Sequence, residues 1–122
     1  MASEQQLVEV LTKIQGDASG FIAASLVDLE SGMTLASKSL RPDFDLTAAS
    51  AYNSELVKQK LKIMQTLGLT GSIEDMLISL TEQIHLIKLV SKGTFLYLAV
   101  DRSQSNLAIV RTAVNKHVGE LR

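Results

Sequence analysis

Three strand-length apolar runs, IEDMLISL, IHLIKLV and TFLYLAV, crowd the stretch between Ile73 and Asp101, separated only by Thr81-Glu82-Gln83 and Ser91-Lys92-Gly93. Connections that short can only reverse the chain, so the pattern predicts an antiparallel meander. Upstream, Ser3 with Gln6 forms a capping-box pattern, and Leu7, Leu11 and Ile14 recur at helical spacing. A helix is expected from about Ser3 to Gln15, with Gly16 as its stop. GFIAASLVD then reads as a strand from Gly20 to Asp28, followed by the turn Leu29-Glu30-Ser31-Gly32 and a second strand from Met33 to Lys38. Ser39 to Asp45 holds the one proline, Pro42, and reads as a loop. Asp45 or Thr47 can cap a long helix ending at Leu67, which Gly68 terminates. After the meander, Asp101 to Ser105 leads into a last helix carried by Leu107, Val110, Val114, Val118 and Leu121.

The strands differ in which faces are apolar, and that orders the sheet. FIAASLV and FLYLAV are apolar or small on both faces, as interior strands covered on each side should be. The second strand alternates Met33 and Leu35 with Thr34 and Lys38, and the third is interrupted by Glu74, Asp75 and Ser79, so both read as edges. The predicted fold is α+β, α-β-β-α-β-β-β-α, with one five-stranded antiparallel sheet in the order 2-1-5-4-3. One long helix covers one face and two helices the other. The chain shows no linker, repeat or low-complexity tract, so residues 1–122 are expected to form a single domain.

The long middle helix carries more apolar surface than one sheet requires. At about 100° per residue, Ala49, Tyr52, Leu56, Ile63 and Leu67 form one stripe and Val57, Leu61 and Met64 a second, with Asn53 and Lys60 running between them. A helix lying on a sheet needs one stripe, so the surplus is a candidate protein-protein surface. The contact set expected from this reading is Asn53, Val57, Lys60, Leu61 and Met64 on the helix, beside Ile73, Asp75, Leu77 and Ser79 of the third-strand edge. A deeply seated helix whose Lys60 stem packs while its ammonium reaches water would give the same pattern. Glu55, Lys58 and Lys62 on the far side read as a solvated face.

At 122 residues the chain suits one self-sufficient domain, and 46% hydrophobic residues mark it as globular. The net charge of -1 gives no field that would draw nucleic acid or an acidic membrane. No cysteine is present, which removes disulfides, thiolate metal sites and cysteine nucleophiles together. MASEQQLVEVL has no basic region or apolar core, so no signal peptide is expected, and no apolar run approaches the roughly 18 residues of a membrane span. A cytoplasmic domain is the expectation.

Candidate chemistry is sparse. His85 sits mid-strand and His117 borders the last helix's stripe, and neither has a histidine or carboxylate at metal-ligand spacing in its own element. Asp28, Glu30, Asp43 and Asp45 flank loops, where turn and cap chemistry explains each more simply than an acid/base pair. Gly68-Leu69-Thr70-Gly71 lacks the lysine and spacing of a phosphate loop, and no G-x-S-x-G elbow occurs. With 4% aromatics and no tryptophan there is no stacking platform for bases or flat cofactors. No cofactor, metal or catalytic residue is nominated, and a hydrolase built from scattered serines finds no starting triad.

Helix, hairpin, helix, meander, helix resembles the roadblock family of dynein-associated light chains and bacterial GTPase regulators. The likeness rests on GFIAASLVDLESGMTLAS, with Gly20, Asp28 and Gly32; on Ala48, Ala49 and Ala51 opening the middle helix, with its exit at Leu67-Gly68; and on TFLYLAVDRSQSNLAIVR, with Asn106-Leu107 and Val110-Arg111. The closing helix, generally missing from short eukaryotic light chains, makes the chain look more like the bacterial or archaeal branch. The resemblance implies a non-catalytic homodimer whose third strands pair edge to edge with the middle helices side by side. It also implies a protein partner, which in some bacterial members is a small Ras-like GTPase whose hydrolysis is promoted without an arginine finger. The competing reading is a small-ligand sensor, needing Asn53, Tyr52 and Ser79 to converge beneath the middle helix, or a scaffold of a signalling or motor complex without a GTPase.

Overall fold

A computed structural model of the chain describes residues 3–121. Met1, Ala2 and Arg122, which the single-domain expectation includes, lie outside the described residues.

The expected capping box starts the first helix, α1 (Glu4–Asp17). The Ser3 hydroxyl accepts from the Gln6 amide at 3.2 Å and Gln6 Oε1 accepts from the Ser3 amide at 2.8 Å. Val10, Leu11 and Ile14 bury its inner face. Gly16 does not stop it, because the helix runs on to Asp17, where a side-chain contact to the far end of the chain holds it. The reversal into the sheet falls instead at Gly20, whose φ of 76° and tight seat decide the residue: a Cβ there would lie 2.9 Å from the Asp101 carbonyl oxygen.

β1 (Phe21–Asp28) is buried along all but its last residue, and β2 (Thr34–Ser39) lies at the sheet's margin. Asp28 shapes the turn between them, its carboxylate accepting from the Ser31 amide at 3.0 Å and the Ser31 hydroxyl at 2.6 Å. α2 (Leu46–Thr66) has 21 residues and is capped by Asp45, which accepts from the Ala48 amide at 3.0 Å. It closes in a Schellman motif, with Leu69 N–H on Met64 O and Gly68 N–H on Gln65 O, around Gly68 at φ 67°.

The meander follows as β3 (Asp75–Ser79), β4 (Gln83–Ser91) and β5 (Thr94–Asp101), and α3 (Leu107–Val118) closes the chain behind an Asn106 cap. All pairings are antiparallel and the sheet order is β2-β1-β5-β4-β3, as the face pattern predicts. Two cores result. One lies between the sheet and the pair α1 and α3, around Leu11, Ile14, Leu86, Leu98 and Val114; the other lies between the sheet and α2, around Val57, Ile87, Phe95 and Tyr97. Among the described residues, no helix is long and apolar enough to cross a membrane.

Candidate protein-protein interface

β3 stands at the margin of the sheet, with β4 as its one strand neighbour among the described residues. Its register sorts its side chains. Leu77 opposes Leu86, which belongs to the α1–α3 core, whereas Met76 opposes Ile87, which belongs to the α2 core. Asp75 and Ser79 share the face of Leu77, and Ile78 shares that of Met76. Asp75 is engaged across to α3: the Arg111 guanidinium donates to both carboxylate oxygens at 3.0 Å. Of the edge residues expected to make contacts, Asp75, Leu77 and Ser79 thus face the two-helix layer. Met76 and Ile78, not singled out from the sequence, are the half-buried pair on the α2 side. Ile73 precedes the strand and, with Leu61, Met64 and Leu89, lines a groove of about 550 Å³ beside the end of α2.

On α2 the structure exchanges the two stripes. Val57 is fully buried, and Leu61 packs half-buried against the same core, so this stripe faces the sheet. Met64 is half-buried on the same side, Asn53 Nδ2 donates to its own helix at Ala49 O (2.7 Å), and Lys60 is exposed. The surplus stripe is the other one: Tyr52, Leu56 and Ile63 are all exposed, Tyr52 to 76%. Val57 therefore cannot belong to an outward contact set, and Leu61 serves the core.

The reason lies in two serines that sequence reasoning passed over. Ser50 and Ser54, one helical turn apart, are both buried; Ser50 Oγ meets Ser25 Oγ at 2.9 Å and Ser54 Oγ donates to Leu29 O at 2.5 Å. Small polar side chains let α2 sit close to β1, and Gly32 approaches Ala51 Cα to 3.4 Å (measured from an added Cβ). The alanine- and serine-rich helix opening was the available signal. Lys58 Nζ also reaches Glu30 O at 2.6 Å, so the Ala51–Ser54–Lys58 flank abuts the β1–β2 turn. Leu56 and Ile63 lie on the opposite flank and so overlook the β4–β3 side of the sheet.

Beneath that flank, His85 of β4 opposes Ile78. Its Nε2 lies 2.7 Å from Gln83 Oε1 and its Nδ1 3.2 Å from the Tyr97 hydroxyl, with the two rings edge to face. Burial lowers the His85 pKa from 6.5 and raises that of Tyr97 to about 12. His117, by contrast, is a buried tie on the far face, with Nε2 2.6 Å from Asp17 Oδ2, and its hydrogen bond holds the Asp17 carboxyl below its usual range.

The ligand-sensor arrangement is not present: Asn53 is bonded within its helix, Tyr52 points outward, and Ser79 lies on the opposite face of the sheet. Among the described residues no group of three His, Cys, Asp or Glu side chains could hold a metal ion.

These strand and helix positions match solved structures over nearly the whole chain. The chain has the roadblock fold. Myxococcus xanthus MglB superposes with a TM-score of 0.89 at 17% identity, covering 99% of this chain and 88% of that one. The gliding protein MglB from Thermus thermophilus gives 0.82 at 17% identity, covering 97% and 87%. A Roadblock/LC7 domain from Streptomyces avermitilis gives 0.79 at 16% identity, covering 100% and 96%. Identities this low make the likeness one of fold. No protein-family model and no curated protein matches the sequence.

Proposed function

We propose that this chain is a single-domain, non-catalytic homodimeric module, cytoplasmic, that regulates or scaffolds a small Ras-like GTPase. One observation carries the dimer: the exposed β3 margin and the surplus stripe Leu56–Ile63 fall on the same flank, with half-buried Met76 and Ile78 between them. An edge strand offers a row of main-chain donors and acceptors to another edge. A second copy related by a twofold axis would meet both features at once, edge on edge and stripe on stripe. The GTPase enters through the roadblock fold and its likeness to MglB, since the family resemblance implies regulators of Ras-like GTPases among bacterial members.

Light scattering on the chromatographed chain is expected to give twice the mass of one copy. Single-turnover GTP hydrolysis by the Ras-like GTPase encoded nearest this gene then separates the roles. Acceleration supports regulation, and binding without acceleration supports scaffolding. A monomer at micromolar concentration would remove the dimer. A dimer that binds no such GTPase would remove the GTPase.

A further inference from the structure

The imidazole of His85 occupies the floor of the flank that the dimer reading covers, and nothing in that reading uses it. It stands on β4 opposite Ile78 of the margin strand and Ala99 of β5, on the sheet face that α2 shares. The groove at the far end of β4 is lined by Leu61 and Met64, so His85 lies toward the first half of α2, where the near flank offers Ala49, Tyr52, Asn53 and Leu56. None of these is charged at neutral pH. Tyr97 is the titratable group that faces the ring directly, and Asp101, two residues beyond Ala99, has its carboxylate engaged by the Ser103 amide and hydroxyl at 2.9 and 2.6 Å.

We propose, resting on the dimer reading, that His85 makes association of two copies acid-sensitive: the pair forms around the neutral ring and separates when the ring takes up a proton. The hydrogen bonds fit the neutral ring. Nε2–H donates to Gln83 Oε1, and Nδ1 accepts from the Tyr97 hydroxyl. Protonation turns Nδ1 into a donor, so Tyr97, only 1% exposed, would have to accept and its own hydrogen would lose its partner. In the single chain, water can still reach the half-buried His85 and solvate the imidazolium. A second copy laid across Ile78 and Leu56 would remove that water; the carboxylate this flank does carry, Glu74, lines the groove at the other end of β3 and is itself exposed.

Burial already favours the neutral ring in one copy, and covering it favours that form further. The dimer therefore holds protons less tightly than the separated chains, and association weakens as pH falls through the separated chain's His85 pKa, which lies below 6.5. With one ring from each copy, the dissociation constant is expected to rise between about pH 7.5 and pH 5.5, by about 4-fold where half the separated chains' rings are protonated.

Sedimentation velocity over a dilution series at both pH values, at fixed salt, measures this. His85→Gln and His85→Leu cannot titrate and should flatten the dependence, while His117→Gln should leave it in place. A measurement independent of variants is the NMR titration of His85, whose midpoint should fall as protein concentration rises. A dimer at neutral pH with an unchanged dissociation constant at pH 5.5 overturns the switch alone. A monomer at neutral pH overturns the dimer reading and the switch with it.

Discussion

Ser25 of β1 and Ser50 of α2 meet hydroxyl to hydroxyl at 2.9 Å, both fully buried, in the seam where the middle helix rests on the sheet. Ser50 also reaches back to Leu46 O at 2.8 Å. If Ser50 donates to that carbonyl, Ser25 must donate to Ser50, and the pair is not symmetric. Ser50→Ala then strands a buried donor and should cost about 1–3 kcal/mol in urea unfolding, whereas Ser25→Ala removes the donor itself and should cost less. Adding Ser25→Ala to Ser50→Ala should recover part of the loss. Equal single costs that simply add would mean the contact carries no coupling.

The margin strand depends on α3 through Asp75 and Arg111, whose two 3.0 Å hydrogen bonds are the only tie of this kind between those elements among the described residues. The Asp75 side chain is 16% exposed and that of Arg111 44%, so the pair is more sheltered than an ordinary surface bridge but not dry. Arg111→Ala should cost about 1–2 kcal/mol, less at high salt. The sharper readout is local. Amide exchange along β3 should speed up while that of β5 stays protected. Uniform acceleration would place the effect on global stability instead.

The element order, the sheet order and both long-helix caps were legible because they rest on local chemistry: capping side chains, short reversals, and strands apolar on both faces. The candidate interface was legible only as a region. Met76, Leu77 and Ile78 are three apolar residues in a row, so period-two alternation gives no parity, and only pairing with Leu86 and Ile87 shows which side each takes. On α2 the wheel separates two stripes but does not say which one the sheet selects. That choice was made by close packing at Ser50, Ser54 and Ala51, a tertiary fact. Gly16 misled as a stop because the Asp17–His117 contact, spanning 100 positions of sequence, holds the last turn in place.

Acid should erode the fold in two stages. His85 has a folded-state pKa below its ordinary 6.5, so the unfolded chain takes up the proton first and stability falls from about pH 6.5 down to the folded value. Asp17, held low mainly by the His117 hydrogen bond, and Asp28 and Asp101, held low by Ser31 and Ser103, contribute stability above about 3.8 that is lost as pH drops through their folded values. Urea midpoints measured from neutral pH downward should show both declines, and His85→Gln should remove the first. A single decline confined to the carboxylate range would count against the burial of His85.

Gly20 and Gly68 both hold positive φ, yet they should respond differently to alanine. At Gly68 an added Cβ meets nothing within 4 Å, so Gly68→Ala carries only the conformational penalty, about 1 kcal/mol. At Gly20 the same Cβ would come within 2.9 Å of the Asp101 carbonyl oxygen, whose residue donates its amide to Gly20 O at 2.7 Å. Backbone must move there, which should raise the cost to about 2 kcal/mol or more. Thermal or urea unfolding of the two variants decides it, and equal losses would mean the reversal at Gly20 is looser than drawn.

The exchange of stripes on α2 yields the most direct contrast. Leu61 faces the sheet and packs with Val57, so Leu61→Glu places a carboxylate against the α2 core and should unfold the chain or cost several kcal/mol. Leu56 is 39% exposed, so Leu56→Glu should leave the fold of one copy intact, with a change in unfolding free energy within about 0.5 kcal/mol once the dimer is diluted apart. At concentrations where two copies associate, the same substitution sets two carboxylates near each other across the twofold axis and should drive the mass in light scattering down to that of one copy. Ile78→Arg at the margin should do likewise. If Leu56→Glu and Ile78→Arg stay dimeric, the contact lies on some other face. If Leu61→Glu folds normally and dissociates, then the helix seats on the sheet through the opposite stripe after all.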